Sequence, residues 1–379
     1  MKILFIGSRL YDDVDFYVKQ KGIESILTES NEEAINLDLP DQVFIVPRGM
    51  DGPKQIAVTQ NVDAVVPLIG IDPPLIQVAE MKEELENDYG IPVIAADVRA
   101  VELTSNKINT KKFYNEIGVA TPEYQILNSP EELTLNFPVV LKQGAGQGGK
   151  DIKVAKNIGD VEDYFKEFSQ ALCEKFVEGS EISIEVLGYN GEYVALPPIY
   201  KGETTIEGTH PLNKVKLGPC LINGLDNILI QQTAYKVAKN LNSDGIFEMD
   251  FMYSHVDNQL YAIEVNTRPN GTRYLTNATC NVNSLCELIN MACGDFSLKN
   301  VFDRIEYYYS TEIPIGNYEG PEIKEPVKSF SNNDFIVHGP EGYQRITIRA
   351  KSKKELKKFT DDLYLWYNYI VLSNKILLV

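Results

Sequence analysis

The chain is short of histidine and tryptophan, with three of the first (His210, His255 and His338) and one of the second among 379 residues. Three scattered imidazoles leave little material for a histidine-rich metal site or a Ser/His/Asp triad. The five cysteines are an odd set without CxxC spacing, in a chain long enough to build its core without disulfide staples. Cys280, Cys286 and Cys293 read as core thiols of a helix, and the expected compartment is the cytosol. Long apolar runs are missing too. No stretch reaches the roughly 18 residues that a membrane span needs, and MKILFIGSRL runs at once into the acidic YDDVD, which does not suit a signal peptide. Positive charge is the last shortage. With 36 Lys and Arg against 54 Asp and Glu, the formal net charge is −18, a field that repels polyphosphate backbones and anionic lipid. Nucleic acid and membrane are therefore not expected as partners, and an anionic small ligand requires a locally basic site.

What is present is an ordinary globular composition, 44% hydrophobic and 24% charged, at a length that suits two or three packed units. KILFIG, VDAVVPLIG and IPVIAA are buried strands separated by polar, helix-capable segments, which predicts an α/β unit with a parallel sheet. Its first turn reads GSRLY, without GxGxxG, so dinucleotide binding there has no support. TSNK caps a helix running through KINTKKFYNEIG. From about residue 120 the texture changes to short strands: PEYQIL, FPVVLK, KDIKVAK, LCEKFV, EISIEVLGYNGEYVAL and GIFEMDFMYSHVDNQLYAIEVNTR, which imply antiparallel sheets. VEDYFKEFSQA, ILIQQTAYKVAKNLN and NSLCELINMACG are helices among them, and a Pro-rich break over 311–326 precedes a basic, aromatic tail.

Three constellations carry chemistry. In VVLKQGAGQGGKDIKVA the glycines sit between two strands, where backbone N–H groups reach phosphate oxygens unhindered by Cβ atoms and Lys142 adds positive charge. Asp after the Lys of GGK excludes a P-loop. In the hairpin 246–268 a turn centred on Asp257 sets Asp250 opposite Glu264, at about 4.5–5.5 Å between Cβ atoms. Two such carboxylates ask for a cation, and Asn266 adds an oxygen on the same face, a donor set suited to Mg²⁺. Arg268 continues that row, and Glu248 shares the face of Asp250 as a further ligand or a charge partner. The third segment, LCEKFVEGSEISIEV, offers a strand edge and carboxylates of the kind that adenine and ribose require.

Together, in this order, the three segments resemble the ATP-grasp superfamily, in particular its stand-alone carboxylate–amine ligases similar to the large subunit of carbamoyl-phosphate synthase. The resemblance covers roughly residues 1–300. It implies an α/β and α+β fold: a parallel-sheet pre-ATP-grasp domain over 1–106, an ATP-grasp domain over 107–300 with two antiparallel-sheet subdomains and a lid at about 112–177, and a small C-terminal domain of unknown role over 301–379. The family pattern implies that Lys107, Lys142, Gly146, Gly148 and Gly149 contact ATP phosphates. Glu174, Lys175 and Val177 then stand at the adenine, Glu181 at the ribose, and Asp250, Glu264 and Asn266 on the metal. Arg268 takes the place of the arginine that steadies the transferred group, and Lys214, with His210 second, that of a basic residue at the γ-phosphate. PNGTRYL departs from the family pattern and leaves the role of Arg273 open.

The resemblance further implies ATP and two Mg²⁺ ions, with Mn²⁺ as a substitute, acting on a carboxylate and an amine through an acyl phosphate. An amino acid or a short peptide is the expected substrate. Arg273, Tyr274, Asn270, the loop 200–216 and Gly70-Ile71-Asp72 are candidates for the acceptor pocket, and homodimers are common among such ligases. Two alternatives stand beside this reading: a bicarbonate-activating enzyme like biotin carboxylase or carbamoyl-phosphate synthase, and a nucleotide-binding module without turnover.

Overall fold

The structure is a computed structural model that describes residues 1–145, 151–205, 214–317, 328–330 and 335–366. The first unit is a parallel sheet of β1 (Lys2–Ile6), β2 (Glu24–Glu29), β3 (Gln42–Ile45) and β4 (Ala64–Pro67) in the order β3-β2-β1-β4. Helices α1 (Asp15–Gln20), α2 (Asp51–Thr59), α3 (Leu75–Tyr89) and α4 (Val98–Ser105) complete it. Strands this apolar are covered on both faces, as parallel sheets must be, and Leu4, Phe5, Val65 and Val66 are fully buried. IPVIAA contributes a single bridge, Val65 with Val93. In the turn after β1 the Glu29 carboxylate accepts from the Ser8 N–H and from its hydroxyl, both at 3.0 Å. The Ser8 amide at the head of that turn is thus already taken by the protein's own acid.

Next comes α5 (Lys107–Glu116), whose N-terminal amides of Ile108 and Asn109 donate to the Asn106 side chain at 3.0 and 3.2 Å. An antiparallel sheet follows, β5 (Tyr124–Leu127), β6 (Val139–Lys142), β7 (Lys153–Ala155) and β8 (Ala171–Lys175), ordered β5-β8-β6-β7 and backed by α6 (Ile158–Phe165).

The third sheet has nine antiparallel strands: β9 (Gly179–Tyr189), β10 (Glu192–Ala195), β11 (Ile199–Thr204), β12 (Lys216–Gly218), β13 (Gly245–Ser254), β14 (Leu260–Asn266), β15 (Tyr309–Gly316), β16 (Phe335–His338) and β17 (Gln344–Ala350). They run β14-β13-β9-β11-β12-β15-β17-β16, with β10 beside β9. Residues beyond 300, expected as a separate small unit, thus supply three strands to the sheet that carries the hairpin. Helices α7 (Asn227–Leu241), α8 (Arg273–Cys280), α9 (Ser284–Ala292), α10 (Leu298–Arg304) and α11 (Lys353–Trp366) complete the chain. Cys280 and Cys286 are buried and Cys293 partly so. They do not share one helix, because Asn281 adopts φ 61° and ends α8.

Strand alternation splits this sheet into two faces. Ile182, Ile184 and Val186 of β9, with Phe247, Met249, Phe251 and Tyr253 of β13, join Ile230, Ala234 and Val237 of α7 in one core. On the other face Leu187 and Ile246 meet the α/β unit and α9. Farther along that face Glu185, Ser183 and Glu181 lie beside Glu248, Asp250 and Met252. An apolar floor therefore gives way to a buried acidic one, and the site begins there.

Candidate functional site

Asp250 and Glu264 are cross-strand partners, as are Glu248 and Asn266. Asp250 Oδ1 is buried and has no hydrogen-bond partner among the described residues. The Asn266 amide donates to Glu248 Oε2 at 3.1 Å and to Glu264 Oε1 at 3.4 Å. Ser183 Oγ donates to Glu248 Oε1 at 2.5 Å. Burial and the nearby Asp250 push the Glu248 carboxyl up to about 7. Burial likewise raises Asp250, although Lys201 opposes it. Crowded acids with an orphaned oxygen, and only oxygen donors around them, fit a hard divalent cation. Among the described residues no three His, Cys, Asp or Glu side chains close a metal cage by themselves, which suits an ion that takes part of its shell from phosphates or water.

Two lysines stand across from these acids. Lys201 Nζ donates to Asp250 Oδ2 at 2.6 Å and lies 3.4 Å from Glu181 Oε1. Lys214 Nζ donates to Glu181 Oε2 at 2.7 Å and to Thr204 Oγ1 at 3.2 Å. Burial works against the charged form of each group, yet the ion pairs win: Lys201 is raised and Glu181 lowered. Glu181, Lys214 and Asp250 therefore form one cluster with Lys201, a residue that sequence reasoning missed. Lys201 sits where the β9–β11 register slips between Tyr200 and Gly202, so simple alternation gives no signal for its direction.

At the other rim, Lys107 opens α5 and its N–H donates to Gly144 O at 2.7 Å, tying the helix start to the segment after β6. Lys107, Glu264, Asn266 and Arg268 line one polar pocket together with Asp72. Arg268 Nε donates to Asp72, which the α/β unit supplies after β4. Lys142 Nζ donates to Glu174 Oε2 at 3.0 Å, and Lys111 Nζ lies 3.3 Å from Glu174 Oε1. Glu174 thus turns its carboxylate inward to two lysines, which hold it ionised below the usual range against the effect of burial. Lys175 is exposed at the end of β8, with Val177 partly buried just beyond.

Arg273 does not join this group. Its Nη2 and Nε donate to Asp13 Oδ2 at 2.7 and 3.1 Å, and its Nη1 to Asn270 O at 2.8 Å. Tyr274 donates to the other oxygen of Asp13, and Lys328 lies 3.4 Å from it. Gly146, Gly148, Gly149 and His210 lie outside the described residues.

The ATP-grasp domain family matches residues 104–272, the span from the end of α4 through Arg268. A protein of Methanobrevibacter smithii named carbamoyl-phosphate synthase is 75% identical over 366 residues, covering 96% of this chain and 100% of that one. The chain belongs to the ATP-grasp family. Solved ATP-grasp neighbours share the fold at low identity. An L-amino acid ligase from Bacillus licheniformis superposes with a TM-score of 0.74 at 17% identity, over 96% of this chain and 97% of that one. The biotin carboxylase domain of the Hydrogenobacter thermophilus 2-oxoglutarate carboxylase, solved with MgADP, ADP and bicarbonate, gives 0.75 at 21% identity over 97% and 90%. N5-carboxyaminoimidazole ribonucleotide synthetase from Thermotoga maritima gives 0.72 at 16% over 96% and 98%. The chain is thus an ATP-grasp enzyme of mixed α/β fold, in a family that binds ATP and Mg²⁺, and no described helix is long and apolar enough to cross a membrane.

Proposed function

We propose that this enzyme uses ATP to phosphorylate a substrate carboxylate, releasing ADP, and that an amine then attacks the acyl phosphate and expels phosphate, forming an amide or peptide bond on amino acids or a short peptide. The supporting observation is the row Glu264, Asn266 and Arg268 opposite Asp250, with Lys107 lining the same pocket. Asp250, Glu264 and Asn266 are the residues that would hold Mg²⁺, or Mn²⁺ in its place, as two ions, and the metal would neutralise charge on the phosphates. Lys107 and Lys142 bind phosphate oxygens, with the glycines at 146, 148 and 149 closing over them. Glu174, Lys175 and Val177 hold adenine, and Glu181 takes the ribose hydroxyls once Lys201 and Lys214 share their positive charge with the phosphates. Arg268, aimed by Asp72, meets the oxygens of the transferred group, and His210 and Lys214 serve the γ-phosphate side. Asn270 and the 200–216 loop shape the acceptor pocket. Cytosolic location and a homodimeric state belong to the same proposal.

The test is phosphate release from ATP with single and paired amino acids and dipeptides, followed by mass spectrometry of the product. An acceptor-dependent rise in phosphate with a matching amide mass supports the reading. A second reading is favoured by the name of the 75% identical relative: bicarbonate as the activated carboxylate and ammonia or an amine as the nucleophile. Phosphate release that depends on bicarbonate and ignores every amino acid establishes that alternative and removes the first.

A further inference from the structure

Lys111 is among the largest fully buried side chains of the protein, at 1% exposure, and the proposed chemistry gives it no task. It follows Lys107 by one helical turn on α5. Its Nζ donates to Thr121 Oγ1 at 2.6 Å and lies 3.5 Å from Ala262 O, while Thr121 Oγ1 donates to the same carbonyl at 2.8 Å. Its third neighbour is Glu174 Oε1 at 3.3 Å, and the other oxygen of Glu174 takes Lys142 at 3.0 Å. One ammonium thus connects α5, the sheet that holds Lys142, and β14 two residues before Glu264.

The charges decide what this arrangement does. A lone Glu174–Lys142 pair is neutral, and its lysine offers a phosphate little net attraction. With Lys111 on the second oxygen, the three groups carry one net positive charge, and Lys142, at the end of β6, is the outermost of them at 8% exposure. We infer that Lys111 is a positioning residue for Lys142: by sharing Glu174 it leaves Lys142 fixed and net cationic toward nucleotide phosphate. This inference rests on the reading of Lys142 as a phosphate contact. The charged groups facing Lys111 are Glu174 from β8, Lys142 from β6 and Glu264 from β14, and burial, the largest influence, brings its ammonium down to about 8. The positive charge is then lost as pH rises through that value.

The experiment is calorimetric titration of ADP with Mg²⁺ into wild type, K111M, K111R and K142M, from pH 6.5 to 9.5. Loss of one charge-assisted contact should weaken ADP binding in K111M by about tenfold at pH 7. K111R, which stays charged, should bind within about threefold of wild type and keep its affinity above pH 8. Wild-type affinity should fall through about pH 8, while K111M stays flat. In steady state, K111M should raise KM for ATP more than it lowers kcat. If K142M weakens ADP and K111M does not, the role of Lys111 is overturned while Lys142 stands. If K142M binds ADP like wild type, the phosphate reading of Lys142 is the one that fails. Where K111M does not fold, K111Q is read in its place against K142M, and unchanged ADP affinity in it overturns the inference.

Discussion

Asp250 pairs with Glu264, and the next residue pair along the hairpin, Phe251 with Ala262, skips Ile263. This bulge decides which way the metal-site residues face. Toward the turn, Leu260 and Ala262 of β14 point into the apolar core, and on the far side of the bulge Val265 does so. Even-numbered residues therefore leave the core after Ile263, and Glu264 and Asn266 come onto the acidic face. Deleting Ile263 closes the bulge and restores plain alternation, which keeps Ala262 and Val265 in the core and Glu264 and Asn266 on the acidic face, so ATP turnover should survive at a stability cost of about 1–3 kcal/mol. Deleting Val265, beyond the bulge, instead turns Asn266 toward the apolar side, and should cost roughly 2–5 kcal/mol in stability and abolish turnover. Thermal melts and phosphate release on the two deletions compare them directly, and equal losses would show that alternation does not set these faces.

Glu264→Ala leaves the hairpin in place and removes one oxygen donor. Phosphate release should drop by at least about 100-fold with little change in Tm. Near-normal turnover in this variant would remove the metal assignment.

Lys201 occupies the space between Asp250 and Glu181. Lys201→Met leaves Asp250 without its cation, so the ligand-free variant should melt several degrees below wild type. MgADP should then raise its Tm by more than it raises that of wild type, because the ion replaces the missing charge. Scanning fluorimetry with and without MgADP measures both shifts, and equal shifts would place the metal away from Asp250.

Arg273 and Asp13 form a buried pair that joins α8 to the α/β unit. Breaking it with Arg273→Met leaves the Asp13 carboxylate to Tyr274 and Lys328 alone and should cost roughly 2–4 kcal/mol in denaturant unfolding. Arg273→Met combined with Asp13→Asn should recover part of that loss. A variant with unchanged stability and a kcat reduced a hundredfold would instead place Arg273 in the chemistry.

Glu185 is fully buried, and burial lifts its carboxyl from 4.5 to about 7. The folded state then holds a proton that the unfolded chain gives up, so stability falls as pH rises from about 4.5 to about 7 and levels off above. At about 1.4 kcal/mol per pKa unit the loss approaches ~3 kcal/mol. Glu185→Gln should equal wild type near pH 4.5 and melt several degrees higher at pH 8. Parallel melting curves across that range would contradict the assignment.

Much of this was legible in the sequence, for local reasons. The parallel strands, the cap of α5 and the hairpin follow from periodicity and capping residues, and the family pattern pointed to Lys107, Lys142 and Arg268. The expected register at Asp250 came out right by compensation. The turn pairs Tyr253 with Leu260, half a residue from a centre at Asp257, and the bulge restores the offset. Lys201 stayed hidden behind a register slip, and Lys111 because KINTKKF gives Lys111 and Lys112 the same local look, although the first is buried and the second exposed. RYLTNATC gave no helix signal because α8 is almost wholly buried and so has no polar face to alternate with. The pairing of β12 with β15 joins residues nearly a hundred positions apart, a distance over which local pattern is silent.

That last pairing bears on how the protein can be produced and cut. The family match ends at residue 272, yet a fragment trimmed there loses β15, which covers the edge of β12, and Glu312, which Lys216 Nζ reaches at 2.8 Å inside the fold. The fragment would present a bare strand edge and a stranded ammonium, inviting edge-to-edge aggregation during expression. Soluble truncations should run at least through Ala350, where β17 ends.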